Sequence, residues 1–272
     1  MRHCNTSYIL PLLAAILSFT SCETEIDLPY RSVEPLYVIE GRVTNETTEV
    51  VITRTRDMED KLPEDSLSRA FVQISTNDGT TETLHYGPDG CYRPANPFTG
   101  TPGTEYTLSV MLDGRTYTSS SYMNKGTQIT GIRFRWLEVM NNARLFCSVT
   151  LTDDPDEANY YAYWMRRNGE NYRWNVTTDK GYEGDILPID IGCMTRDEAE
   201  ENDEEDRDDI LYDGDEIEVE VRVIDRRTYD YLYSIVLSES TAANPAENFT
   251  GGCLGYFSAY STVRAKTVYT AE

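Results

Sequence analysis

Histidine is almost missing from this chain: two stand among 272 residues, His3 and His85. His3 falls in a stretch that reads below as an export signal, so one imidazole remains for the mature chain. Multi-histidine zinc sites are thereby excluded, as is any Ser-His-Asp arrangement needing more than His85. Positive charge is short too, with 24 Lys+Arg against 47 Asp+Glu and a formal charge of −23. Every contact of such a body with a phosphate begins in like-charge repulsion, which excludes nucleic acid as a partner. Also lacking are a P-loop, a Gly-x-Ser-x-Gly elbow, a Cys-x-x-Cys pair, the EF-hand order of ligands and any internal repeat of solenoid length. Long apolar runs are missing as well. The best, 8–19, is well short of the about 20 residues that a membrane helix needs, and it matches the apolar region of a signal peptide.

What is present begins with that segment. Residues 1–21 read as a signal peptide: Met1, Arg2 and His3 form its basic start, and Phe19, Thr20 and Ser21 lead into Cys22. Small residues before a cysteine resemble the bacterial lipobox, in which the thiol is acylated and becomes the first residue of the mature chain. Glu23, Glu25 and Asp27 follow, resembling the acidic tag by which Bacteroidota send lipoproteins to the outer face of the outer membrane. Residues 22–34 are then the tether. Lipid is also the anchor that physics requires. So acidic a body cannot adhere to an anionic surface by charge, and two or more acyl chains make attachment stable.

From 35 to 123, short alternating runs are separated by turn residues. Strands are expected at 36–43, 49–53, 70–75, 80–86, 105–111 and 115–119. Asn77-Asp78-Gly79, Asp89-Gly90 and Asp113-Gly114 are tight-turn chemistry, and 56–68 is a polar loop. This density of short strands predicts an immunoglobulin-like or transthyretin-like sandwich. After a linker at 124–127, a second domain, 128–272, is expected to be β-rich, with strands at 130–139, 144–151, 159–167, 170–177, 216–225, 255–260 and 263–269. Asn168-Gly169 marks a hairpin. One helix is expected over 226–240, where Tyr229, Leu232, Tyr233, Val236 and Leu237 recur at helical spacing and Asn244-Pro245 stop it. The fold class is mainly β, with one packed helix.

The segment 197–209 holds ten Asp/Glu in thirteen residues, against Arg207 alone. Like charges repel and stay solvated, so a loop is expected. Calcium is the one ion such a run suggests, as it is for the acidic turn 153–157; no other cofactor is implied. Tyrosine and tryptophan cluster in 160–164 and 172–174. Their flat apolar faces with polar tips suit a glycan, a peptide or a protein partner, and Tyr161, Trp164 and Trp174 are the candidates for a ligand-facing set. Core filling is the competing reading, since alternation turns about half of any strand inward. Arg166-Arg167 and Arg226-Arg227 read as surface counter-charges. Cys4 leaves with the signal and Cys22 takes lipid. Cys91, Cys147, Cys193 and Cys253 remain, and an exported compartment permits disulfides. Cys91 stands alone in the first domain, so a bond within the second is expected, Cys193–Cys253. Glycoside hydrolysis needs only two carboxylates, but acids are so abundant here that no pair stands out.

Several stretches taken in order resemble a family of Bacteroidota outer-membrane lipoproteins known as domain of unknown function 4249. They are 37–44, 70–75, 103–110, 154–161, Gly214-Asp215, 229–232 with Asn244-Pro245, and 255–260. The acidic insert 197–209 and Cys253 depart from the family pattern. The resemblance implies a β-rich, lipid-anchored protein, often encoded near TonB-dependent transporters, with no site residues to carry over. Together these features lead to the expectation of a non-enzymatic surface lipoprotein that assists a TonB-dependent transporter in nutrient uptake, by binding substrate or the transporter. A structural or adhesive surface-assembly protein and a carboxylate-based hydrolase are the alternatives.

Overall fold

The computed structural model describes residues 34–56, 67–154, 157–182, 184–201, 209–241 and 245–271. The signal peptide, the tether with Cys22, and residues 202–208 of the acidic run lie outside the described residues. Within Pro35–Glu272, which forms one compact unit, the described residues hold sixteen strands and two helices. No helix among them is long and apolar enough to cross a membrane. The protein is mainly β.

The first half supplies β1 (Tyr37–Thr44), β2 (Thr48–Arg54), β3 (Phe71–Thr76), β4 (Thr81–Tyr86), β5 (Cys91–Pro94), β6 (Glu105–Leu112) and β7 (Arg115–Tyr122). The turns between them form where the sequence places Gly or Asp: Gly79, Gly90, Asp113 and Gly114 all have positive φ. Alternation drives one face of each strand inward. Ile39, Val43, Val50, Ile52, Val72, Ile74, Leu108 and Val110 are fully buried in one cluster. The half is not finished by its own strands. Phe249, Cys253, Phe257 and Ala259 complete the same cluster from the far end of the chain.

Those residues lead into and belong to β16 (Leu254–Val268), a single strand where two were expected. Its beginning pairs parallel with β1, Val38 opposite Leu254 and Thr44 opposite Tyr260. Its remainder pairs antiparallel with β15 (Glu216–Ile224), Val223 opposite Ser261 and Glu216 opposite Val268. One strand therefore serves both halves, and eleven strands join in the order β11-β10-β15-β16-β1-β2-β5-β4-β3-β6-β7. On the first half the sheet curls until β7 comes back to the β16 side. Thr118 bridges Thr250, and the Ala259 N–H donates to Ser121 Oγ at 2.8 Å.

The second half packs that sheet against a smaller one, ordered β12-β9-β8. These are β8 (Ile129–Val139), β9 (Asn142–Thr152) and β12 (Ile186–Gly192). The prolonged sheet contributes β10 (Tyr160–Arg167) and β11 (Glu170–Thr178), with Asn168 and Gly169 at positive φ in their turn. Leu145, Cys147, Val149 and Leu151 face Tyr161, Met165, Val219 and Val221 in the second core. Pro188 lies within β12, an edge strand, where its missing N–H costs no central ladder bond. Two short strands, β13 (Met194–Thr195) and β14 (Ile210–Leu211), flank helix α1 (Arg196–Glu201); helix α2 (Arg226–Thr241) follows β15. The sequence expects that second helix one residue shorter. Asp225 starts it: its carboxylate accepts from the Thr228 N–H at 2.8 Å. Its apolar side, with Tyr231 and Leu232, covers Ala162, Val176, Ile224 and Tyr260 on the outer face of the sheet.

Candidate functional site

Strand alternation separates the three aromatic candidates. Tyr161 points inward and is 2% exposed. Its hydroxyl donates to Asp153 at 2.7 Å, and burial pushes its pKa far above the ordinary tyrosine value. It is a core residue, not a ligand-facing one. Trp164 and Trp174 lie opposite one another on β10 and β11, on the face that α2 partly covers. Their rings stack at 6.2 Å between centroids and 14° between planes. Arg222 then lies over Trp164, its guanidinium carbon 3.7 Å from the ring centroid. Both indoles are half-buried packing partners, so the structure does not bring the three together on a ligand surface.

Beside Trp164 runs a ladder of charges. Glu220 is 3% exposed, and its carboxylate accepts from Arg222 Nε at 2.7 Å and Arg264 Nε at 2.8 Å. Arg166 stands 3.5 Å away and also pairs with Glu218 at 3.1 Å. Burial opposes ionisation of Glu220, but the charge and hydrogen bonds of Arg222 and Arg264 outweigh it and hold the carboxyl below its usual value. Arg167 donates to the Ile210 carbonyl, Arg226 faces Asp230 at 3.7 Å, and Arg227 donates to the Asn248 carbonyl at 2.9 Å. Arg166 and Arg226 thus pair with carboxylates, whereas Arg167 and Arg227 hold backbone carbonyls.

The four described cysteines are free thiols. Cys253 belongs to the first core and Cys193 to the second, so the expected Cys193–Cys253 bond is not formed. The reason is the sharing of β16, which carries the segment around Cys253 back to the first half. Cys193 instead lies near Cys147, since Ile191 is opposite Cys147 and the Cys193 N–H donates to the Leu145 carbonyl. Burial pushes both Cys193 and Cys253 up to about 11, and Cys147 higher still.

The acidic run departs from a simple loop at its start. Residues 196–201 form α1: Thr195 Oγ1 accepts from the Glu198 N–H at 3.3 Å, and Asp197 and Glu198 occupy the first turn, where negative charge favours the helix. Asp209 at the other end pairs with Arg173. Among the described residues, no group of three or more His, Cys, Asp or Glu is placed to hold a metal ion.

A cleft opens between α1 and the tip of the β8–β9 hairpin. Its volume is about 360 Å³, and Trp136, Asn141, Asn142, Arg144, Asp197 and Glu198 are among its lining residues. Arg144 crosses from hairpin to helix and pairs with Glu198 at 2.6 Å. The hairpin tip is a two-residue turn, Met140 and Asn141, both at positive φ. Two-residue hairpins need that conformation to match strand twist. Met140 is 94% exposed and Trp136 49%. Sequence reasoning passed over this place because neither turn residue is glycine. The available signal was a tryptophan close to a turn containing a Met-Asn-Asn run. A smaller cleft of about 140 Å³ lies at the junction of the halves, where Lys125 meets Glu157 at 2.6 Å and Asp154 at 3.5 Å.

The two ends of the molecule differ in what they carry. β1 enters beside the start of β16, and Gly126 lies near Ser261. Further on, Phe134 packs against Tyr269 at 4.7 Å between ring centroids. β8 thus runs in the direction of β16 and continues past its end. The hairpin tip therefore lies beyond the end of β16 opposite to its pairing with β1.

No curated protein matches the chain. Among solved structures it is similar to a two fibronectin type-III domain segment from chicken tenascin, at 12% identity, covering 87% of this chain and all of that one with a TM-score of 0.23. The family model that matches is the domain of unknown function DUF4249, over residues 23–266. That span takes in every strand of both cores except the last positions of β16, and the chain belongs to the DUF4249 family.

Proposed function

We propose that this protein is a non-enzymatic lipoprotein of the outer membrane, held by acyl chains on Cys22 and facing the cell exterior, where it serves TonB-dependent nutrient uptake by binding a substrate or the transporter. The observation that carries the reading is the placement of the hairpin cleft at the end of the strands remote from Pro35. The chain leaves Pro35 toward Cys22 through a tether whose reach is at most ~45 Å, at about 3.5 Å per residue. In this reading Trp136 and its polar neighbours lie at the end of the strands away from the residue at which the tether joins. Residues 35–123 act in this reading as an immunoglobulin-like or transthyretin-like module between tether and cleft.

Labelling with palmitate and affinity purification from native outer membranes test it. The tagged protein is expected to carry label that Cys22→Ala abolishes, to be cut by protease added to intact cells, and to enrich a TonB-dependent transporter. An unlabelled chain, or one shielded from external protease, overturns the anchoring; a labelled surface protein that enriches no transporter and retains no ligand overturns the uptake role.

A further inference from the structure

We infer that the cleft between the β8–β9 turn and α1 binds neutral saccharide, one or two pyranose rings at a time, with Trp136 as the stacking platform. The inference rests on the binding role proposed above and adds the ligand's chemistry. At about 360 Å³ the cleft is at the small end of ligand sites, which start at roughly 300 Å³.

Its lining selects among ligand classes. Trp136 and Ala143 are the apolar members, too few for a lipid or other apolar ligand. An anion is disfavoured because Arg144, the one cation of the lining among the described residues, is already neutralised by Glu198 at 2.6 Å and Asp197 adds a negative charge. What remains is a set of planar polar groups: the amides of Asn141 and Asn142, the Asp197 carboxylate and the Arg144–Glu198 pair. Planar groups with two adjacent donors or acceptors match the vicinal hydroxyls of a sugar. The same ring carries apolar C–H faces that need a flat partner. Trp136 supplies one: it is half exposed and, among the described residues, stacks on no other ring, whereas Trp164 and Trp174 stack on each other. Trp136 sits in register opposite buried Leu145 on β9.

The test is titration of the full-length protein, in detergent, with a panel of neutral glucan, mannan and galactan oligosaccharides, alongside a panel of short peptides. At least one oligosaccharide is expected to bind and to perturb tryptophan fluorescence. Trp136→Ala should weaken that binding about tenfold or more, Trp136→Phe should retain part of it, and Met111→Ser, at an exposed position of the first half, should leave it unchanged. Thermal melts of the variants separate lost binding from lost folding. Binding that survives Trp136→Ala in a folded protein overturns the inference, as does a panel in which only peptides bind, or none of the probes. The membrane experiments above read anchoring and transporter association independently, so the saccharide assignment fails without deciding the surface role.

Discussion

Arg222 lies over the indole of Trp164 while its Nε and Nη2 reach the carboxylate of Glu220, at 2.7 and 2.6 Å. One guanidinium thereby joins an aromatic pair to the most deeply buried carboxylate among the described residues. The arrangement explains why an outward-facing tryptophan on an exposed-looking strand is not a ligand platform. Its face is already used by a cation.

Removing one partner of such a buried cluster leaves the others uncompensated. Glu220→Gln is expected to destabilise the protein by about 3 kcal/mol, the lower end for breaking a buried pair. Lys266→Ala, which removes an exposed partner of Glu218, should cost ~0.5 kcal/mol. Urea unfolding of both variants checks the contrast. Because the folded-state pKa of Glu220 is held below its ordinary value, its contribution is present above that value and is lost as pH falls through the lowered one. The stability of the wild type should therefore decline more steeply than that of Glu220→Gln as pH drops below the usual carboxylate range. Parallel pH curves would remove Glu220 from the account.

Gly255 is the point at which β16 meets β1. It has φ +96°, and a β-carbon there would run into the carbonyl oxygen of Ile39. Gly255→Ala should cost about 3 kcal/mol or more, through left-handed strain together with loss of the parallel pairing. Gly131→Ala, with nothing within 4 Å of the added carbon, is the control and should shift stability by less than ~0.5 kcal/mol. Equal effects in thermal melts would show that the junction is not held by this close approach.

That junction also marks how far the sequence alone could be read. Turns declared by Gly and Asp, six of the seven strands of the first half and α2 are legible in the sequence, because each rests on patterns close along the chain; the four-residue β5 is too short to show alternation. The long β16 was read as two strands, since nothing local says that Ser261 continues the run begun at Leu254. The Cys193–Cys253 pairing failed for the same reason: which core a C-terminal residue joins is decided by strand partners about two hundred residues away. Tyr161 was misjudged through the parity of β10, where one register step exchanges core and surface. The cleft was missed because its two walls, a hairpin tip and a short acidic helix, meet only in the tertiary structure.

The thiols provide a separate check. Burial raises the pKa of all four thiols, but Cys91 is partly accessible whereas Cys147, Cys193 and Cys253 are buried and shielded from reagent. In a chain begun at Glu23, brief alkylation at neutral pH is expected to add chiefly one group, at Cys91, and alkylation in urea to add four. Peptide mapping without reductant should find no Cys193–Cys253 link. Recovery of that link would show that the two cores exchange their C-terminal segments.

Asp225 ties two elements together. One carboxylate oxygen accepts from the Thr228 N–H at 2.8 Å and caps α2; the other accepts from the Tyr122 N–H at 3.1 Å, at the end of β7. The adjoining Ile224 carbonyl accepts from Asn124 Nδ2 at 2.8 Å, so the stretch between the halves is held from the same corner. A lost cap costs about 1 kcal/mol and a second backbone N–H left without its partner adds a comparable amount. Asp225→Ala should therefore destabilise by about 2 kcal/mol. Asp225→Asn keeps an acceptor for the cap but turns a donor toward one of the two N–H groups, so an intermediate loss is expected. Hydrogen exchange locates the effect: protection should fall at the first turn of α2 and at Tyr122 together. Loss confined to the helix would mean that β7 is held by β6 and by its contacts with Thr250 and Ala259, and that Asp225 is a cap and nothing more.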